Sequence, residues 1–126
     1  MKGIVVLCIL FAGNVLAMPN TEIYEALFEQ YPAVRKTKLA SCMTCHTIDK
    51  WQRNSYGRDL QVYLRKLFED TGRAPDPSKY SKHMIMKGLK DIELADSDDD
   101  GFSNLEEMLN DAFPGEASDH PERPVW

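Results

Sequence analysis

Two short stretches of this chain carry residue types that do chemistry at a fixed spacing. The first is Cys42-Met43-Thr44-Cys45-His46. Cys-x-x-Cys-His is the attachment signature of a c-type haem. Two thiols separated by two residues reach two adjacent vinyl groups of the porphyrin as thioethers. The histidine directly after the second thiol then lies beneath the iron as an axial ligand. The second stretch runs from Asp96 to Glu107 and matches D-x-[DN]-x-[DN]-G-x₅-E at every specified position. Calcium, a hard cation, wants six to eight oxygens at flexible distance. Asp96, Asp98 and Asp100 offer three carboxylates, Gly101 permits the sharp turn, and the Phe102 carbonyl faces inward. Asn104 acts directly or through water, and Glu107 closes the shell with both carboxylate oxygens.

Each motif has a plainer reading. A redox-active Cys-x-x-Cys wants a βαβ setting, and none is visible. A zinc site wants four ligands, and no second Cys/His pair stands at finger spacing. The acidic stretch can also be a solvated loop ahead of a helix cap. For the sixth position on iron the candidates are Met84, Met86, Met108, His83 and His120. On a helix advancing 100° per residue, Met84 falls on the apolar stripe, and His83 and Met86 fall outside it. Met84 is the expected distal ligand, with His83 the alternative and an open sixth position the third possibility.

The elements that must position these residues read as helices. Thr21 can cap a helix to about Tyr31, with Ile23, Tyr24, Leu27, Phe28 and Tyr31 on one stripe and Pro32 ending it. Residues 55–70 follow the helix template through Leu60, Tyr63, Leu64, Leu67 and Phe68, and Gly72 supplies the stop. Asp76-Pro77 resembles an N-cap with proline at the first helical position. The helix it opens is predicted to reach about Leu94, with Tyr80, Met84, Ile85, Leu89 and Ile92 on its apolar side. Ser103 and Glu106 predict a capping box ahead of Leu105, Met108, Leu109 and Ala112. After Pro114-Gly115 the tail, residues 114–126, should be extended. No sustained β alternation occurs.

The chain has 126 residues, 43% of them apolar and 28% charged, with net charge −5, enough for one small domain. Residues 1–17 have the layout of a secretory signal peptide: Lys2, an apolar run from Ile4 to Ala12, and small residues near Ala17. That run is too short to span a bilayer permanently. Cys8 lies inside it with no lipobox, so lipid anchoring is not expected. The predicted mature domain, residues 18–126, keeps only Cys42 and Cys45. A domain this thin needs a staple, and two cysteines three residues apart cannot constrain much of a fold. Charge is split. Residues 18–90 carry thirteen Lys/Arg against eight Asp/Glu, and residues 91–126 carry one against twelve. This balance excludes a basic nucleic-acid binder.

The Cys42–His46 motif makes the chain resemble small exported monohaem c-type cytochromes. The segment Asn54-Ser55-Tyr56-Gly57 is similar to the Asn-x-Tyr-Gly turn of bacterial members that end in an acidic calcium-type loop, although it also reads as a simple turn and N-cap. The 96–107 loop resembles those of EF-hands, dockerins and thrombospondin type 3 repeats. It departs from a paired EF-hand because its eighth position is Ser103 and no second loop exists. The resemblance implies an all-α, cytochrome c-like domain with a helix–calcium loop–helix at its C-terminal end. It implies one covalent haem c, one calcium, periplasmic or extracellular location, and electron transfer to redox partner proteins. Arg35, Lys36, Lys38, Lys50 and Arg53 would favour an acidic partner. No catalytic residue is expected, since nothing marks a distal catalytic pair. The rival readings are a five-coordinate haem enzyme or gas or peroxide sensor, and a haem subunit docked in a larger redox complex. No motif speaks to oligomeric state.

Overall fold

The computed structural model describes residues 21–49, 52–74, 76 and 79–123; the expected signal peptide, together with Lys50 and Pro77, lies outside the described residues. Four α-helices follow one another: α1 (Thr21–Gln30), α2 (Ser55–Glu69), α3 (Lys82–Asp91) and α4 (Asn104–Leu109). Two 3₁₀ turns, Pro32–Lys36 and Cys42–Thr44, lie between α1 and α2. Among the described residues there is no strand, only an isolated bridge between His46 and Arg53. None of the described helices is long and apolar enough to cross a membrane. The all-α expectation holds.

α3 packs on both α1 and α2. Ile85, Leu89 and Ile92 of the α3 region are buried against Leu27, Leu60, Leu64, Phe68 and Tyr56. Tyr31 ties α1 to the end of α3 by donating its hydroxyl to a Glu93 carboxylate oxygen at 3.0 Å. Burial, then the bond to Glu93, holds the Tyr31 phenol well above its usual range, so it stays a donor.

Several boundaries depart from the sequence expectation. α3 begins not at Pro77 but after Ser81, whose hydroxyl accepts the Met84 N–H at 3.3 Å. Asp76 instead closes a tight turn, its carbonyl accepting the Lys79 N–H at 2.9 Å. Tyr80 then turns inward edge-on to Phe68, ring centroids 5.6 Å apart. Burying that aromatic pair outweighs continuing the helix backward. Tyr63 and Leu109, placed on apolar stripes by periodicity, are exposed, the latter 71%. The described part of the tail, residues 114–123, is not extended. Two turns shape it, Glu116 N–H to Phe113 carbonyl and Asp119 N–H to Glu116 carbonyl, and Pro114 is fully buried.

Candidate functional site

The Cys42–Thr44 turn is held from three sides. Inside the motif, buried Thr44 donates its hydroxyl to the Leu39 carbonyl at 2.7 Å. From below, the Asn54 side chain does two jobs. Its oxygen caps α2 by accepting the Gly57 N–H at 2.9 Å, and its nitrogen donates to the Met43 and Thr44 carbonyls at 3.0 and 3.2 Å. The Asn54 N–H also donates to the Cys45 carbonyl at 3.0 Å. From α1, the Tyr24 hydroxyl donates to Cys42 Sγ at 3.2 Å. The Asn-x-Tyr-Gly segment is thus both a helix cap and the brace of the cysteine motif.

Cys42 and Cys45 are both free, the first exposed and the second half-buried. Burial pushes the Cys45 thiol up to about 12, with Arg53 opposing and Cys42 adding to the rise. His46 is half-buried, with Nδ1 3.2 Å from the Gln52 carbonyl oxygen. A carbonyl only accepts, so this bond places the proton on Nδ1 and leaves the Nε2 lone pair to act as a ligand. A cavity of about 430 Å³ lies beside it, lined by Met43, Thr47, Ile48, Arg58, Phe113 and Glu116 among others. Two free thiols and an oriented imidazole on one braced turn are the donor set that covalent haem requires.

For the distal position, Met84 sits in the first turn of α3, half-buried and packed against the core, and His83 beside it is exposed. Met86, expected outside the apolar stripe, is half-buried against the core as well. Met108 is a core residue and His120 is exposed. Of the basic residues near the motif, Lys38 is paired with Asp119 at 2.8 Å and Arg35 lies over the Phe28 ring at 4.8 Å.

The acidic loop forms a second centre. One carboxylate oxygen each from Asp96, Asp98 and Asp100 gathers within 4.8 Å. Asp96 shapes the turn by accepting the Asp100 and Gly101 N–H groups at 3.1 and 2.8 Å. Gly101 takes φ 94°, a left-handed geometry that suits glycine. Among the described residues, six buried side-chain oxygens lack a hydrogen-bond partner, and five of them belong to Asp98, Asp100 and Glu107. Glu107 is 0% exposed with both oxygens unpartnered. Burial, then Asp98, Asp100 and Asp96, pushes its carboxyl up to about 9. Burial and Asp100 push Asp98 up to about 6. Unpaired buried carboxylates cost several kcal/mol each, and a cation held by Asp96, Asp98 and Asp100 would offset that cost; Glu107 lies outside the group whose oxygens gather within 4.8 Å. The residues therefore fit a hard metal ion.

Asn104 behaves differently from the ligand role expected for it. It is 1% exposed; its oxygen accepts the Ser97 N–H at 3.3 Å, and its nitrogen donates to the Ile92 carbonyl at 2.8 Å and Ser97 Oγ at 2.9 Å. Its amide braces the loop against α3. Ser103 and Glu106 form the expected capping box on α4. Asp59, which no motif marks, accepts the Ser97 hydroxyl at 2.7 Å and ties the loop to α2.

No family model, no curated protein and no solved structure matches the chain.

Proposed function

We propose that this chain is an exported monohaem c-type cytochrome, an electron carrier with one covalent haem and one structural calcium. The observation that carries the reading is the braced Cys42–His46 turn, where Asn54 fixes the backbone beneath two free thiols and Gln52 fixes the imidazole tautomer. Haem, when bound there, supplies a one-electron iron couple whose potential is set by ligation, burial and local charge.

The chain's own residues do the rest. Cys42 and Cys45 would hold the haem covalently, and His46 would bind its iron through Nε2. Met84, half-buried on α3, is the proposed distal ligand. Asp96, Asp98, Asp100 and Glu107, with the Phe102 carbonyl, hold calcium, and Asn104 keeps the loop closed. Calcium is plentiful outside the cytoplasm, so a lone site there serves as a staple between α3 and α4. Exposed Arg53 and Arg58 flank the motif and suit an acidic redox partner by steering.

Acidic organic extraction of the purified exported protein tests the reading. The haem should stay on the polypeptide. Haem that partitions into the solvent would refute covalent attachment through Cys42 and Cys45.

A further inference from the structure

The segment after α4 lacks regular secondary structure, yet single side chains pin it at three separate places. At its near end Phe113 packs against the core beneath the Lys38 ammonium, 5.2 Å from the ring centroid. Gly115 lies flat against the Asn54 side chain, so closely that a β-carbon there would overlap its amide. Phe113, Gly115 and Glu116 form part of the wall of the cavity that His46 and Met43 also line. In the middle, Asp119 accepts the Phe113 N–H at 3.0 Å and the Lys38 ammonium at 2.9 Å. At the far end the His120 ring stacks on Phe102, centroids 5.7 Å apart and planes within 11°. The Arg123 guanidinium lies 4.9 Å from the same ring and donates to the Gly101 carbonyl at 3.4 Å.

We infer that residues 113–123 are a calcium-dependent strap, closed over the cavity beside His46 when the acidic loop is loaded and released when it is empty. The inference rests on the cation reading of that loop. Its far anchors, Gly101 and Phe102, occupy the tightest part of the loop, where Asp99 and Gly101 take φ values of 61° and 94°. On the cation reading, the Phe102 carbonyl would also be a ligand. A bound cation therefore fixes the surface on which His120 and Arg123 sit. In the empty loop, buried oxygens of Asp98, Asp100 and Glu107 are left without partners. A closed strap brings the Asp119 carboxylate into the field at Glu107, which favours a cation there. Strap closure and metal binding thus favour each other. Such coupling is reciprocal: whatever factor calcium contributes to closure, closure contributes to calcium affinity.

Hydrogen exchange of the purified full-length protein, with saturating calcium chloride and after chelation, tests this alongside calcium calorimetry. Protection across 114–123 should fall about tenfold or more on chelation, with α1–α3 much less affected. Arg123→Ala, which removes the strap's contacts with Phe102 and Gly101, should weaken calcium binding about five-fold, the low end of ordinary coupling. Calcium heat with unchanged protection of 114–123 and unchanged affinity in Arg123→Ala would overturn the strap alone. Protection lost equally across α1–α3 would also overturn it, since calcium would then hold the whole fold. Absence of any calcium heat would remove the cation reading, and the strap with it.

Discussion

The Cα of Gly57 lies directly against the carbonyl of Cys45: a β-carbon placed on it would overlap that oxygen. The first helical turn of α2 thus supports the cysteine motif by bare backbone contact. The obstructing atom is itself backbone, held by the Asn54 N–H, and cannot rotate away. Gly57→Ala is therefore expected to shift the 42–46 turn, at an overpacking cost of about 1–3 kcal/mol. The melting temperature should fall by several degrees, at ~4–8 °C per kcal/mol, and the yield of covalently loaded protein should fall with it. Asn54→Asp separates the two jobs of that side chain, keeping the cap on Gly57 while losing both donors to the motif. A fully loaded, wild-type-like melt for both variants would mean that the turn needs neither support.

Removal of calcium should lower stability without disturbing the spectrum of the prosthetic group, because the loop contributes no iron ligand. A ligand specific to the folded state stabilises by about 2.7 kcal/mol at a hundredfold excess over Kd. That corresponds to roughly 10–20 °C in melting temperature for a domain of this size. Glu107→Gln should reproduce the chelator's effect, and the variant's melt should no longer respond to calcium. A wild-type melt indifferent to calcium and chelator alike would reduce the loop to an acidic surface feature.

On the calcium reading, proton release should accompany that binding. In the metal-free fold Glu107 is raised from 4.5 to about 9, and Asp98 from 3.8 to about 6. Near pH 7 Glu107 is protonated and Asp98 mostly ionised, so calcium should displace about one proton. For a carboxyl raised by folding, the stability it contributes is full below the unfolded pKa and is lost as pH climbs through the folded one. Metal-free protein should accordingly melt lower as pH rises from about 4.5 towards 9, and calcium should flatten that slope. Calcium calorimetry near pH 7 in buffers of different ionisation enthalpy reads the proton directly, and heats independent of buffer would contradict it.

At the distal position, Met84→Ala is expected to abolish the weak far-red sulfur-to-ferric-iron band and lower the reduction potential, since thioether ligation raises it. Wild-type protein lacking that band would transfer attention to His83 or to an open site. Met86→Ala is the fitting control, because Met86 shares the half-buried setting.

The two motifs and the order of helices were legible in the residues, because both depend on short-range spacing and periodicity. What stayed hidden depends on partners distant in sequence. Asp76-Pro77 carries a strong start signal for α3, but the inward turn of Tyr80 onto Phe68 moves the start to Ser81. Position nine of the loop pattern marks Asn104 as a ligand, yet Ile92 and Ser97 claim its amide first. Nothing near Gly57 announces Cys45 as its neighbour. The tail's prolines predict extension, and its true path is set by single contacts to Lys38, Asn54 and Phe102.

Asn54 and Asp59 grip the cysteine turn and the acidic loop respectively, five positions apart at the start of α2. An α-helix turns 100° per residue, so one residue inserted between them would swing one grip sideways relative to the other. The interval is a fixed pitch, like the thread between two nuts on one bolt. A graft of the cysteine motif into another scaffold would have to carry this pitch along with the motif itself.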